Sequence, residues 1–141
     1  MKSVTTGVPD PSWSYGCNVS ESTTEFKTGT KSLKVDYVDG GLSLFLGSDT
    51  WSDGHWFTDF YSPTYITFWA KGGGKDVSIL IKGDAPPNAP TDTKIVSIPA
   101  DVWTYFKIPS NFINGTYGRL NFIISGTTGR TVYFDDILYV K

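Results

Sequence analysis

The sequence predicts an all-β chain, a β-sandwich (jelly roll) of two antiparallel sheets, on three observations. Apolar residues recur with a period of two in segment after segment, the mark of strands with one buried face. Aromatic residues make up 16% of the 141 and charged ones only 18%, with 15 glycines and 8 prolines, a mixture that suits short strands joined by turns. No stretch carries the 3.6-residue period of a helix. Eight to ten short strands at this spacing give a sandwich, a closed barrel being the main alternative.

Taken in order, PSWSYGC (11–17) comes first, with Trp13 and Tyr15 two apart among serines. In a strand, positions i and i+2 share a face about 7 Å apart, so both rings point the same way. Pointing inward they belong to the core; pointing outward they form a patch that calls for a partner. SLKVDYV (32–38) sets Leu33, Val35 and Tyr37 against Ser32, Lys34 and Asp36, and LSLFL (42–46) follows Gly40 and Gly41, so the pair reads as a hairpin. An aromatic-rich loop, 47–63, ends at Pro63. YITFWAK (65–71) places Ile66, Phe68 and Ala70 on one face and Tyr65, Thr67, Trp69 and Lys71 on the other. DVSILIK (76–82) buries Val77, Ile79 and Ile81 and turns Ser78, Leu80 and Lys82 outward. GDAPPNAPTD (83–92) is too rich in proline for a strand interior. Further strands are expected near 94–98, 103–108, 119–125 and 131–140. In the third of these Leu120, Phe122 and Ile124 point inward, and Arg119, Asn121 and Ile123 point out.

The length fits one domain, 1–141, able to bury a core without metal or disulfide. A net charge of -2, with lysines and arginines scattered, excludes the basic stripe of a nucleic-acid binder. Cys17 is alone, so no internal disulfide forms. No apolar run is long enough for a signal peptide or a membrane span. Met1 followed at once by polar residues reads as the start of an excised piece, any export signal or neighbouring domain having been removed. Asn18-Val19-Ser20 and Asn114-Gly115-Thr116 match the N-glycosylation sequon but are read as polar loop residues, since such triplets are common by chance.

Four phrases in order, TGTKSLKVDY (28–37), YITFWAKGG (65–73), WTYFKIP (103–109) and TVYFDDILYV (131–140), resemble the β-jelly-roll carbohydrate-binding modules appended to plant-cell-wall hydrolases. The opening WSYGC is similar to the W-x-W-G-C phrase of family 29. The resemblance implies that Trp13 and Tyr15 stack on sugars of β-1,4-linked glucans and mannans. GRLNFI (118–123) resembles the family's arginine-bearing strand, which assigns the guanidinium role to Arg119. VSILIK (77–82) resembles a strand whose two polar binding positions fall on Ser78 and Lys82. The chain departs from the family at Tyr15, which replaces a tryptophan, in the chemistry of Ser78 and Lys82, and at Ile123, where a polar amide is expected.

The residues themselves support such a site. A pyranose is apolar on its C–H faces and polar around its edge, so it needs flat aromatic platforms and edge donors. Trp13 and Tyr15 provide platforms, while Arg119, Asn121 and Lys82 provide edge contacts, the planar fork of arginine addressing two oxygens at once. Trp69, outward by parity, joins them, with Trp51 and Trp56 of the 48–63 loop in reserve. That loop also holds His55 and three aspartates, whose irregular spacing fits a packed Ω-loop better than a metal site. Many jelly-roll carbohydrate modules hold a structural calcium through the aspartate of a phrase like YFDDI, which makes Asp135 the candidate ligand, with carbonyls of the 28–31 turn beside it. Family 29 lacks that aspartate, so no cofactor is required on that resemblance.

An enzyme is not expected. A glycosidase needs two carboxylates flanking a cleft, and the only glutamates, Glu21 and Glu25, lie in a polar segment. A lyase would need a base such as His55 near an arginine. The reading is thus a single non-catalytic carbohydrate-binding module, a secreted, extracellular monomer that recognises cellulose, glucomannan, mannan or a related β-glucan and targets an appended catalytic domain to it. The alternatives are a protein-interaction or adhesion β-sandwich using the same aromatic face and, further off, a polysaccharide lyase or glycosidase. Neither nucleic acid nor membrane is an expected partner.

Overall fold

In the computed structural model, residues 2–3, 13–45, 64–83, 93–113, 119–125 and 128–140 are described. They form nine strands: β1 (Lys2–Ser3), β2 (Trp13–Ser22), β3 (Ser32–Phe45), β4 (Tyr65–Gly72), β5 (Val77–Gly83), β6 (Lys94–Ile98), β7 (Thr104–Pro109), β8 (Arg119–Ile124) and β9 (Arg130–Val140). One 3-10 turn, Ser110–Ile113, follows β7. Among the described residues there is no α-helix, and no helix long and apolar enough to cross a membrane.

Hydrogen bonding follows the path β6-β5-β8-β3-β9-β4-β7, with β1 on β9 and β2 on β3, and every pairing of named strands is antiparallel. The path folds over at β3. Residues 33–37 pair with β9 in a back sheet, and residues 41–45 pair with β8 in a front sheet. Strand β2 turns the same corner beside β3, pairing with it from 13 to 15 and again from 17 to 22. The segment expected to be a hairpin, 32–46, is therefore one long strand as far as Phe45, and Gly40-Gly41 is a corner. The reason is competition for partners: β2 takes one side of β3 along its whole length, while β9 and β8 share the other.

At the corner one residue of β2, Gly16, faces three of β3, Val38 to Gly40. Gly16 has φ 60° and Gly40 φ 125°, values open to glycine. A Cβ on Gly16 would lie 1.2 Å from the Asp39 carbonyl oxygen, and one on Gly40 would lie 2.1 Å from that of Tyr15. Cys17 ties the strands further, its thiol donating to the Gly41 carbonyl at 3.2 Å.

The inward positions named by parity fill the space between the sheets, joined by Val132 and Phe134 of β9. Val35, Leu44, Ile66, Phe68, Ala70, Ile79, Ile81, Leu120, Phe122, Val132 and Phe134 have no measurable exposure, while Ile124 is half-buried. Phe122 of the front sheet meets Phe68 of the back sheet edge to face, centroids 5.5 Å apart at 87°, and Phe134 at 5.2 Å. Phe68 also stacks on Phe106 at 5.1 Å. Burial of each such ring contributes roughly 1.5–3 kcal/mol, and good ring geometry adds about 0.5–1.5 kcal/mol per pair. Tyr37 is buried among them, its hydroxyl donating to the Phe122 carbonyl at 3.1 Å.

Two stability measurements check this account. Gly16→Ala and Gly40→Ala should each lower the unfolding free energy by at least about 2 kcal/mol in urea titration, from backbone strain plus the clash. Burial also pushes the Tyr37 phenol well above its ordinary 10.0. As pH rises through that ordinary value the unfolded chain loses this proton while the folded chain keeps it, so stability present below pH about 10 falls above it. Melting temperature should drop more shallowly with pH in Tyr37→Phe than in the parent chain.

Candidate saccharide-binding face

Register fixes what the outward face of the front sheet carries. Across its strands, Tyr15 pairs with Gly41, Gly41 with Ile123, Ile123 with Leu80, and Leu80 with Ile95. The next row runs from residue 13 to Ser43, Asn121 and Lys82. Beyond it Phe45 pairs with Arg119, and on the opposite flank Ser78 pairs with Ser97. Adjacent strands lie about 4.8 Å apart and successive same-face rows about 7 Å, so these rows cover a sheet-wide track.

The sequence-named residues divide over this geometry. Tyr15 is 42% exposed, and Ser78 and Lys82 are half-exposed on the front face. The ring of Tyr15 lies against the corner, where a Cβ on Gly40 would come 2.8 Å from its Cδ2. Gly41 gives a flat floor beside it, since a Cβ there would meet Ile123 Cγ1 at 2.9 Å. Asn121 has the outward parity expected of it, yet it is only 4% exposed. For Trp13 and Arg119 the described structure is the backbone register, which puts both in this sheet; their side chains, and Trp51 and Trp56 entirely, lie outside the described residues.

Trp69 is elsewhere. It stands on β4, which pairs with β7 and β9 of the back sheet and with no front strand. Its ring meets Tyr105 at 5.3 Å, and Lys27 Nζ sits 4.5 Å over it. Parity distinguishes outward from inward but not one sheet from the other, so Trp69 shares no face with Tyr15. The same back surface carries Lys107 over Tyr65 at 3.9 Å and Lys71 near Trp103 and Tyr133. Lys71 is ion-paired with Glu25, and Glu21 with Lys31 at 2.7 Å, so both glutamates are engaged on charge partners. Asp36 there feels burial, which pushes its carboxyl up, but hydrogen bonds from Thr131 and Lys34 outweigh this and hold it below the usual range.

Ser43, Gly41 and Ile95 were not singled out by the sequence. The signal for Ser43 was the alternation Leu42-Ser43-Leu44, readable once the partner strand is known. Its Oγ is the one buried side-chain oxygen or nitrogen among the described residues without a hydrogen-bond partner. The first sequon also differs from expectation, since Asn18 is an exposed strand residue of β2; Asn114 lies outside the described residues.

Asp135 is 2% exposed, and its carboxylate is occupied by amides. Oδ2 accepts from the N–H of Lys27 at 2.8 Å and of Thr28 at 3.0 Å, and Oδ1 from the N–H of Asp136 at 2.9 Å. These donors present hydrogens where a calcium ion would need oxygens. Among the described residues no group of three or more His, Cys, Asp or Glu is placed to hold a metal. The residues as arranged do not fit calcium; they fit a carboxylate fastening the 27–28 turn to β9.

No protein-family model and no curated protein matches the chain. Solved structures do. The CBM22-1 xylan-binding domain from Paenibacillus barcinonensis superimposes with a TM-score of 0.61 at 16% identity, covering 86% of this chain and 79% of that one. A variant of the family 29 module CBM29-2 complexed with mannohexaose gives 0.58 at 16% identity, covering 91% and 78%. The family 11 carbohydrate-binding module of a cellulosomal cellulase of Clostridium thermocellum gives 0.57 at 18%, covering 92% and 85%. The fold is that of these β-sandwich modules.

The metal question has a direct measurement. Asp135→Ala should lower stability by about 2–3 kcal/mol, the loss of charge-assisted hydrogen bonds at a buried group. Chelator or added calcium should leave the melting temperature of the parent chain unchanged.

Proposed function

We propose that this chain is a non-catalytic carbohydrate-binding module for β-1,4-linked plant polysaccharide, of the cellulose, glucomannan, mannan or related β-glucan class, that targets an attached enzyme outside the cell. The observation that carries the reading is the juxtaposition on one outward sheet face of the exposed Tyr15 ring and the half-exposed Lys82, which ends a polar row whose Ser43 and Asn121 are buried. A sugar chain crossing the strands would set C–H faces on the aromatic platform and bring its hydroxyl edge to Lys82.

Trp13 is the second platform and Arg119 the second edge donor in this reading, their strand positions adjoining Tyr15 and Asn121. The partnerless Ser43 Oγ supports it too. An orphan buried hydroxyl costs about 1–3 kcal/mol, a cost carried here directly beneath the outward face of the front sheet. The likeness in fold to a xylan-binding domain and to a module complexed with mannohexaose points the same way. Against catalysis, Glu21 and Glu25 are paired with lysines and Asp135 with backbone amides, which leaves no described pair of carboxylates on the front face to act as acid and base.

Affinity electrophoresis against soluble glucans, mannans and xylans tests the proposal. Retardation by one or more β-1,4 polysaccharides is expected, and Trp13→Ala and Tyr15→Ala should each weaken it by about 5- to 30-fold with the melting temperature retained, the equivalent of about 1–2 kcal/mol per stacked ring. Uniform mobility across the panel would sink the reading and favour a protein partner. Release of reducing ends from any of them would sink its non-catalytic half.

A further inference from the structure

The row that begins at Tyr15 has a chemistry of its own. Its five positions are Tyr15, Gly41, Ile123, Leu80 and Ile95, and beyond the tyrosine none carries a polar side chain. Ile95 is 63% exposed on β6, the last strand of the path, and Leu80 and Ile123 are half-exposed. A contiguous apolar strip across four strands is more than the scattered single residues of an ordinary surface. One row away lie Asn121 and Lys82, an amide and an ammonium that donate hydrogen bonds.

A free sugar hydroxyl laid over Ile123, Leu80 or Ile95 would give up its hydrogen bonds to water and gain none. An O-acetyl ester has no donor to strand; it offers a methyl group and a carbonyl oxygen. The methyl suits the apolar row, and the carbonyl, directed to the neighbouring row, accepts from the half-exposed Lys82. We infer that the strip Ile123–Leu80–Ile95 is a subsite for O-acetyl groups, so that the module prefers partially acetylated β-1,4 saccharide over the unsubstituted chain. The inference rests on the saccharide reading above and adds which substituent the sugar carries.

The probe is β-1,4-mannohexaose chemically acetylated to a low degree, compared with the same preparation after mild alkaline deacetylation and with an equivalently treated β-1,4-glucan oligosaccharide, by titration calorimetry. Acetylated ligand should bind about four- to fifteenfold more tightly, the effect of one to two buried methyl groups. In Leu80→Ser and Ile95→Ser, both exposed-face substitutions checked for an unchanged melting temperature, that ratio should fall to about one. Equal affinity of the two forms, or a preference that survives both substitutions, overturns the subsite while leaving the saccharide reading intact. Absence of binding to every form overturns both. Reversible self-association of the ligand-free chain that Ile95→Ser abolishes would assign the strip to a second copy instead and also overturns the subsite.

Discussion

The contact of Phe122 with Phe68 and Phe134 is the constraint on which the rest of the molecule depends. It is where front and back sheets touch through rings, and it fixes strand β8 face down. Once Phe122 is held in the core its neighbours have no freedom: Asn121 and Ile123 must project from the front face, and the strands paired on either side inherit that parity. Tyr37 reinforces the arrangement by reaching from the back-sheet half of β3 to the Phe122 carbonyl. The outward face of the front sheet is thus a consequence of core packing, and its rows are as well defined as the aromatic cluster beneath them.

The corner at Gly16 and Gly40 does the complementary work. A strand that crosses from one sheet to the other must bend sharply, and here two strands bend together, with glycine at each point where a side chain would strike the opposing carbonyl. The bend brings residues 13 to 15 onto the front sheet beside Gly41 and Ser43. The Tyr15 ring sits against Gly40, where a Cβ would come 2.8 Å from its Cδ2, so the missing side chain there makes room for it. The phrase WSYGC has this physical content: two ring-bearing positions followed at once by the residue that permits the turn.

Much of the fold was legible in the sequence because strand parity is local. The alternations of 33–37, 66–70, 77–81 and 120–124 named the buried residues correctly, with Ile124 half-covered. What parity cannot carry is the identity of partners far along the chain. Gly40-Gly41 looks like a hairpin turn until β8 and β9 claim the two halves of β3. Trp69 and Lys82 are both outward, yet they lie on opposite surfaces because β4 joins β7 and β9 whereas β5 joins β6 and β8. Burial of Asn121 depends on what neighbouring strands place over it, and the amides that fill the Asp135 carboxylate come from more than a hundred residues away. In YFDDI the sequence offers Asp135 as a calcium ligand; the long-range register shows its carboxylate accepting backbone hydrogens of Lys27 and Thr28.

Strand β2 borders both sheets, and its make-up bears on how the molecule behaves in a crowd. An open edge is a template for another chain to add itself to the ladder. Along residues 17–22 of β2 the exposed positions are Asn18, Ser20 and Glu21, and the ladder is broken by an irregularity at Gly16, so an incoming strand on that stretch would meet polar groups and a kink. At the far margin of the back sheet β7 shows Lys107 and ends in Pro109, which has no amide hydrogen to offer. At β2 and β7 such margins discourage the addition of a further strand, which leaves β6, with its exposed Ile95, as the apolar border among the described strands.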